Sequence, residues 1–175
     1  MEHRRPGFGG DPVTELSDRG AALRDRWSAE QREAVMGWLA RGAAGDPPCG
    51  TYEGRWDLRG FVARRAFDSV ELHLVDFSYA ALVTPEAQRI PQWDGSSADG
   101  LIDARATDCV FHRCAFSYQL STTTRTWQGG FVRFEFERCD FGGAILNGCT
   151  MAFANFHQCD FRQASVHDAR TFMTE

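Results

Sequence analysis

The sequence predicts a mainly β fold in which the chain winds as a parallel β-solenoid behind a short helical segment. Between Cys139 and Val166 every fifth residue is large and apolar: Phe141, Leu146, Met151, Phe156, Phe161 and Val166. The residue two positions before each of these alternates between Cys and Ala. Neither the 3.6-residue period of an α-helix nor the two-residue period of a strand produces a period of five. Three-residue strands joined by two-residue corners do produce it.

Length and composition restrict the class of protein. A chain of 175 residues, 43% of them hydrophobic, is long enough for one domain, or for one domain with a small appendage. The net charge of -5 argues against a nucleic-acid binder, which would carry a basic surface. No apolar run is long enough to cross a membrane, and the N-terminus lacks the apolar core of a signal peptide. Six cysteines in such a chain predict reduced thiols and a cytoplasmic protein.

The N-terminal segment lacks the five-residue period and predicts helices. Ser28 to Gln31 matches a capping box, and apolar residues follow at helical spacing (Val35, Trp38 and Leu39). An earlier helix is expected to hold Leu16, Leu23 and Trp27. The two prolines within 43–50 end the helical part, so we divide the chain into a helical appendage with linker (1–50) and a β-helix (51–175). Because solenoid ends expose unpaired strand edges, the helices are expected to form a cap. The alternatives are a lid and half of a dimer interface.

The five-residue block itself explains the side-chain pattern. Residues two apart in a strand point the same way, so the first and third residues of each block face inward and the second faces outward. A small first residue and a large third residue together fill a narrow interior. Successive coils are expected to stack roughly 4.8 Å apart.

Three blocks, CDFGG (139–143), ANFHQ (154–158) and CDFRQ (159–163), resemble the pentapeptide-repeat family, whose blocks run Ala or Cys, Asp or Asn, Leu or Phe, then two polar residues. The resemblance covers about residues 56–173, with interruptions. It implies a right-handed, four-sided parallel β-helix with four blocks per coil, here about five coils. Ile145, Thr150 and Ser165 depart from the Asp or Asn of the second position, which weakens the transfer of function but not of fold.

Two interruptions, 83–100 and 117–130, break the run of blocks and are expected to be long loops. If each interruption bridges one corner, four phenylalanines fall on one side of the tube: Phe77, Phe111, Phe141 and Phe161. Val75, Cys109, Cys139 and Cys159 then lie beside them. In this register both loops leave from the same corner, after Leu82 and after Phe116, on successive coils.

The corner with both loops is the predicted binding site, because long loops in a compact domain are often functional. The candidate residues combine aromatic, charged and apolar side chains: Trp93, Asp94, Ile102, Asp103, Tyr118, Arg125, Trp127, Val132 and Arg133. They meet the description of a pocket for a small-molecule ligand. In the alternative interpretation, Trp93 and Trp127 only anchor their loops on the solenoid.

Other candidate chemistry is not supported by the pattern. Cys109, His112 and Cys114 have a metal-like spacing, but the two thiols point inward from different sides while His112 points outward. The outward carboxylates of Asp140 and Asp160 stack and could have raised pKa values, although such carboxylates are usual in these repeats. The sequence predicts no metal and no cofactor, and it identifies no catalytic residues.

Three functions are compatible with these features, and the first is favoured. The chain could be a non-catalytic interaction module that binds a protein partner or a second copy of itself. It also resembles the branch of the family that protects DNA gyrase by imitating duplex DNA. A mimic should be a long, uninterrupted and strongly acidic rod, whereas this chain is short, interrupted and only modestly acidic. The third function is a small-molecule-binding or catalytic protein of a specialised biosynthetic pathway, with its site at the loop corner.

Overall fold

The computed structural model describes residues 18–63, 67–82, 101–116, 118–119, 127–128, 130–146, 149–167 and 169–172. The helices are α1 (Asp18–Asp25) and α2 (Ala29–Leu39). Short strands follow: β1 (Thr51–Tyr52), β2 (Arg55–Asp57), β3 (Phe67–Asp68), β4 (Glu71–His73), β5 (Val75–Asp76), β6 (Leu101–Ile102), β7 (Arg105–Thr107), β8 (Tyr118–Gln119), β9 (Trp127–Gln128), β10 (Gly130–Val132), β11 (Glu135–Glu137), β12 (Thr150–Ala152), β13 (Asn155–His157) and β14 (Arg170–Phe172).

Helix α2 begins at the predicted capping box. The Ser28 side chain accepts the N–H of Gln31 at 3.1 Å, and Gln31 Oε1 accepts the N–H of Ser28 at 2.9 Å. These two bonds satisfy backbone donors that no earlier helical turn can reach. The predicted core-facing residues of α2 are all buried, namely Val35, Trp38 and Leu39.

The first helix differs from the expectation in its extent. Helix α1 ends at Asp25, so Trp27 lies in the short link between the helices. The indole N–H of Trp27 donates to the Arg59 carbonyl at 2.9 Å, and its ring packs edge-on against Phe61 at 5.6 Å. These contacts with the solenoid fix the position of Trp27. Leu16 lies outside the described residues.

The strands stack into four walls, each made of parallel neighbours from successive coils. The first wall is β3, β6, β10, β12 and β14, and the second is β4, β7, β11 and β13. The third wall begins with β2 and β5 and continues through Val110, Asp140 and Asp160. The fourth wall is the column Val62, Ala81, Ala115, Ile145 and Ser165. Because the chain visits these walls in turn and then returns to the first, it forms a four-sided β-helix.

The strand pairing confirms the predicted register across both interruptions. On the first wall Leu101 pairs with Phe67 on one side and with Phe131 on the other. On the fourth wall Ala81 and Ala115 are direct neighbours. Both interruptions therefore connect the fourth wall to the first wall, on successive coils. Residues 83–100 lie outside the described residues.

The core is a continuous column of aromatic rings. Phe77, Phe111, Phe141 and Phe161 stack with centroids 5.5, 5.0 and 4.8 Å apart along the tube. The first three rings of this column are fully buried. The spacing follows the coil repeat because each ring comes from the same position of successive coils.

One coil departs from the small-then-large pattern, and its neighbour compensates. On the second wall Ala104 and Ala106 leave unused volume, and the next coil supplies Phe134 and Phe136 in the equivalent positions. The Phe134 and Phe136 rings stack with centroids 3.9 Å apart, and Phe136 also contacts Phe111. Close packing of the interior requires this exchange of volume between adjacent coils.

Acidic residues at the second position form local turns on the third wall. Asp57, Asp76, Asp140 and Asp160 each accept the backbone N–H of the residue two positions later. This is the Asx-turn geometry that short acidic side chains favour. The preceding corner is made by residues with φ between 51° and 54°: Leu74, Asp108, Arg138 and Gln158. Local turn chemistry therefore produces the corners that the five-residue period requires.

The N-terminal segment makes backbone contacts with the first coil of the tube. The N–H of Glu71 donates to the Gly42 carbonyl at 3.2 Å, whereas the matching N–H groups of Arg105 and Glu135 donate to the preceding coil. Arg26 donates to the Arg59 carbonyl, and β1 pairs with the outer edge of β2. The helical segment and β1 thus satisfy backbone groups that a solenoid end would otherwise expose.

Asp57 joins the helical segment to the solenoid. Its carboxylate accepts two hydrogen bonds of 2.6 Å from Arg26 and two of 2.8 and 2.9 Å from Arg59. Only 11% of the Asp57 side chain is exposed. Burial disfavours its ionised form, but the hydrogen bonds from Arg59 and Arg26 outweigh burial and hold the pKa of Asp57 well below its usual range.

Replacing this carboxylate should destabilise the protein in a pH-dependent way. We expect Asp57→Asn to lower the free energy of unfolding by about 2 kcal/mol, since charged hydrogen bonds are lost while the side-chain shape is kept. A lowered folded-state pKa stabilises the protein fully above the ordinary carboxyl pKa of about 4. The difference between parent and variant should thus be constant from about pH 7 to 5 and shrink below about pH 4.

The matched control is Asp103→Asn, which removes an exposed carboxylate bound by Arg133 in the same two-pronged way. We expect it to cost about 0.5 kcal/mol or less. Urea unfolding of parent and variants at several pH values measures both effects. Equal losses for the two variants would show that Asp57 does not join the two parts of the chain.

Candidate functional site

The structure places part of the predicted loop-corner site away from that corner. Asp103 and Arg133 lie at the corner between the first and second walls, across the first wall from where the interruptions begin and end. Arg133 Nη2 donates to Asp103 Oδ2 at 2.7 Å, and Arg133 Nε donates to Asp103 Oδ1. This guanidinium lowers the pKa of Asp103. Both residues therefore lie one strand away from the corner at which the interruptions begin and end, and their part in a binding site stays a prediction.

The other members of the predicted site are placed in part. Ile102 and Val132 are paired neighbours in β6 and β10 of the first wall. Tyr118 and Trp127 lie in β8 and β9, which form an antiparallel hairpin with Tyr118 opposite Gln128. Trp93, Asp94 and Arg125 lie outside the described residues.

The hairpin corrects the expectation of a plain loop over 117–130. Tyr118 and Trp127 are residue types that favour strands, and they flank a polar Ser–Thr-rich stretch typical of a turn. These two features of the sequence indicate a hairpin. Gly130 also belongs to β10, so the first wall resumes one residue earlier than expected.

The second wall carries charged side chains that line two clefts. A shallow cleft of about 210 Å³ is lined by Arg105, Glu135, Phe136, Glu137, Asn155 and His157. A neighbouring cleft of about 430 Å³ is lined by Ser69, Glu71, Asp103, Ala104, Arg105, Arg133 and Glu135. Both clefts are open to solvent, so charged groups in them stay hydrated.

Opposite charges on this wall pair across two coils. Arg138 donates to both carboxylate oxygens of Asp108, at 2.7 and 2.8 Å, and lowers the pKa of Asp108. The Nε atom of Arg105 lies 3.4 Å from Oε2 of Glu135. Together with Asp103 and Arg133, these pairs join the two coils on either side of the second interruption. We infer that they help to select the register in which these coils stack after the intervening segment.

The stacked thiols have raised pKa values and therefore stay protonated. Cys139 Sγ lies 3.4 Å from the carbonyl oxygens of Ala106 and Glu137. A hydrogen bond with Cys109, and then burial, raise the pKa of Cys139 to about 12 despite an opposing effect of Cys159. The pKa of Cys159 is raised in the same way, first by Cys139. A protonated thiol is a poor nucleophile and a poor metal ligand, so this column serves packing.

The metal-like spacing of Cys109, His112 and Cys114 does not form a cluster. Both thiols are buried in the core, whereas His112 is partly exposed and its ring lies 6.4 Å from that of Tyr79. Among the described residues no group of three or more His, Cys, Asp and Glu side chains is placed to hold a metal ion. The suggested rise in the pKa of the stacked aspartates is wrong for Asp160, because Arg162 donates to its carboxylate and lowers its pKa.

The last coil exposes apolar side chains that sequence reasoning did not single out. Phe153 and Val166 are 45% and 48% exposed. Phe156 and Phe161 are only partly buried, whereas their counterparts Phe136 and Phe141 are completely enclosed. The rings of Phe156 and Phe161 contact each other at 5.1 Å. We call these four residues the open end.

Part of the solenoid sequence matches a known protein family. A family model for pentapeptide repeats matches residues 135–170 with eight copies. Over these residues the chain is similar to the pentapeptide-repeat family. No curated protein matches its sequence.

One solved structure is similar to part of this chain. The crystal structure of a pentapeptide repeat protein (Rfr23) from the cyanobacterium Cyanothece 51142 is 9% identical, with a TM-score of 0.28. The alignment covers 65% of this chain and 63% of that one.

No helix of the described residues is long and apolar enough to cross a membrane.

Proposed function

We propose that this protein is a non-catalytic protein-interaction module whose contact surface is the open end. The observation that carries the proposal is that the last coil exposes Phe153 and Val166 and leaves the rings of Phe156 and Phe161 partly uncovered. Soluble proteins seldom expose grouped apolar side chains unless they form a binding surface. Aromatic side chains also dominate the binding energy of protein interfaces.

The backbone of the same coil supports a contact role. Within the described residues the strand neighbour of β13 is β11, and Asp160 is bridged to Asp140 of the preceding coil. An uncovered strand edge offers N–H and C=O groups to another polypeptide. A protein partner would satisfy these groups and cover the apolar rings together.

The charge pairing argues against the DNA-mimic alternative. A mimic of duplex DNA must present uncompensated negative charge to its target. Here the carboxylates of Asp103, Asp108 and Asp160 are each bound by an arginine of the same chain. Gyrase protection therefore ranks below the interaction proposal, and it stays a prediction that a supercoiling assay tests.

A site-specific photo-crosslinker tests the proposed contact surface. We expect a crosslinking residue at Val166 to give protein adducts in cells that express the chain. The matched control is the same residue at Leu74, which is an exposed apolar side chain (37%) on a coil far from the open end. Adducts at Val166 but not at Leu74 support the proposal. No adducts at Val166, or equal adducts at both positions, would contradict it.

A further inference from the structure

We propose that the corner between the third and fourth walls binds a diphosphate group through Arg19, Tyr79, His112 and Arg113. These four residues, which we call the basic corner, come from α1 and from two inner coils, whereas the open end belongs to the last coil. The site is therefore independent of the proposed function. Three observations carry the proposal: a missing carboxylate, two arginines that meet at one aromatic ring, and a pair of glycines in the next coil.

The coil of β6 and β7 lacks a carboxylate that would neutralise its corner. On the first and last coils a corner arginine donates to the aspartate two positions before it, in the pairs Asp57–Arg59 at 2.8 Å and Asp160–Arg162 at 2.7 Å. In the coil of β6 and β7 the wall position of these aspartates holds Val110, and the corner carries His112 and Arg113. Neither Arg113 nor Arg19 forms an ion pair with another described residue. Their positive charges are therefore not compensated within the described chain.

Two guanidinium groups from separate parts of the chain meet at the Tyr79 ring. The Cζ atoms of Arg19 and Arg113 each lie 5.9 Å from the centroid of this ring, so they lie within twice that distance of each other. The imidazole of His112 lies edge-on to the same ring at 6.4 Å. Because an aromatic ring attracts cations, Tyr79 holds the two guanidiniums near each other despite their like charge.

The next coil leaves room for the basic side chains. The carbonyl of Gly142 accepts the N–H of Arg113 at 2.9 Å, so the pair Gly142 and Gly143 lies directly beside this corner. A Cβ at Gly142 would lie 3.2 Å from Cδ2 of His112, and one at Gly143 would lie 3.2 Å from Cγ of Arg113. Larger residues at these two positions would crowd His112 and Arg113. The glycine pair thus allows both basic side chains to lie against the tube.

A diphosphate group matches this arrangement better than a carboxylate. One carboxylate supplies a single negative charge, whereas two uncompensated arginines attract at least two. A phosphate group carries nearly two charges at neutral pH, and its oxygens match the two-pronged donors of a guanidinium. Two linked phosphates would give one group to each of Arg19 and Arg113. Tyr79 is only 8% exposed, so its ring is not free to stack on a base, and recognition is confined to the phosphates.

Calorimetric titration of the full chain with inorganic diphosphate, at constant ionic strength, tests the proposal. We expect saturable binding at one site, and Arg19→Gln and Arg113→Gln should each weaken it at least tenfold. The matched control is Arg41→Gln, which removes the same charge from an exposed arginine that forms no ion pair with another described residue. Arg41 precedes Gly42, whose carbonyl accepts the N–H of Glu71 on the second wall, across the tube from the basic corner. It should bind like the parent.

Hydrogen exchange of the parent gives a measurement that does not depend on the variants. Bound diphosphate would join α1 to the coil of β6 and β7, so it should slow exchange of the α1 amides and leave β13 unchanged. Circular dichroism establishes that each variant is folded. A nucleoside diphosphate should bind no more tightly than inorganic diphosphate, and tighter binding would overturn the assignment to phosphates alone.

Three other results would overturn the site. They are no saturable binding up to about 10 mM diphosphate, equal binding by Arg113→Gln and Arg41→Gln, and slower exchange spread evenly over the chain. None of them changes the crosslinking expected at Val166, so failure of this site and failure of the interaction module are separate outcomes.

Discussion

Replacing Phe141 by alanine should cost about 3 to 5 kcal/mol of the free energy of unfolding, the usual range for a large ring lost from a packed core. Phe141 is fully buried, and its ring stacks on Phe111 at 5.0 Å and on Phe161 at 4.8 Å. It also contacts Phe136 edge-on at 5.0 Å. The interior of a four-sided tube is bounded by hydrogen-bonded walls, so it cannot collapse into the space that the ring leaves.

The matched control is Phe161→Ala, at the same position of the following coil. Phe161 stacks on only one equivalent ring and is partly exposed, so its loss should cost roughly half as much. Urea unfolding monitored by circular dichroism measures both variants, at about 1 µM so that association contributes little. Equal losses for Phe141 and Phe161 would show that the aromatic column is not the main source of stability.

The register of the solenoid could be predicted because the period of five is tied to side-chain direction. A slip by one residue would turn Phe111 or Phe141 out of the core. Only one way of bridging the interruptions aligns the phenylalanines, and the pairing of Leu101 with both Phe67 and Phe131 confirms it. The capping box at Ser28 was likewise predictable, since it depends on residues three apart.

The features that the sequence did not reveal depend on neighbours from distant parts of the chain. Phe134 fills a first position because Ala104 and Ala106 of the adjacent coil leave room, and a block considered alone contains no sign of this. Trp27 lies outside helix α1, and its indole N–H donates to the Arg59 carbonyl on the distant first coil.

The candidate site was less predictable than the fold for the same reason. Asp103 and Arg133 bind each other at another corner, and their placement depends on the width of a wall instead of a motif. The block pattern does not reveal the open end, because Phe161 follows the same Cys-Asp pair as Phe141. Whether a ring is covered depends on the coil beyond it.

The contact between α1 and the first coil depends on a position without a side chain. Gly60 has φ of 71°, and a Cβ at this position would lie 2.5 Å from the Leu23 carbonyl carbon and 2.7 Å from the Arg24 nitrogen. Both neighbours are backbone atoms of α1, so they cannot move aside as the tip of a flexible side chain can. Gly60 therefore allows the helix to lie directly against the solenoid.

Gly60→Ala should separate α1 from the tube and cost more than the strain of its backbone conformation. The left-handed conformation alone costs alanine about 1 to 2 kcal/mol, which Gly54→Ala measures, since Gly54 has φ of 77° and a Cβ there would meet no neighbouring atom within 4 Å. The backbone clash at Gly60 adds to this strain, and we expect a total loss of about 3 kcal/mol or more. Hydrogen exchange should also show faster exchange of the α1 amides and of the Trp27 indole in Gly60→Ala but not in Gly54→Ala, because only the former breaks the contact. If the two variants lose equal stability and keep α1 protected, the helix does not depend on close approach at Gly60, and Asp57 with its arginines must hold the segment alone.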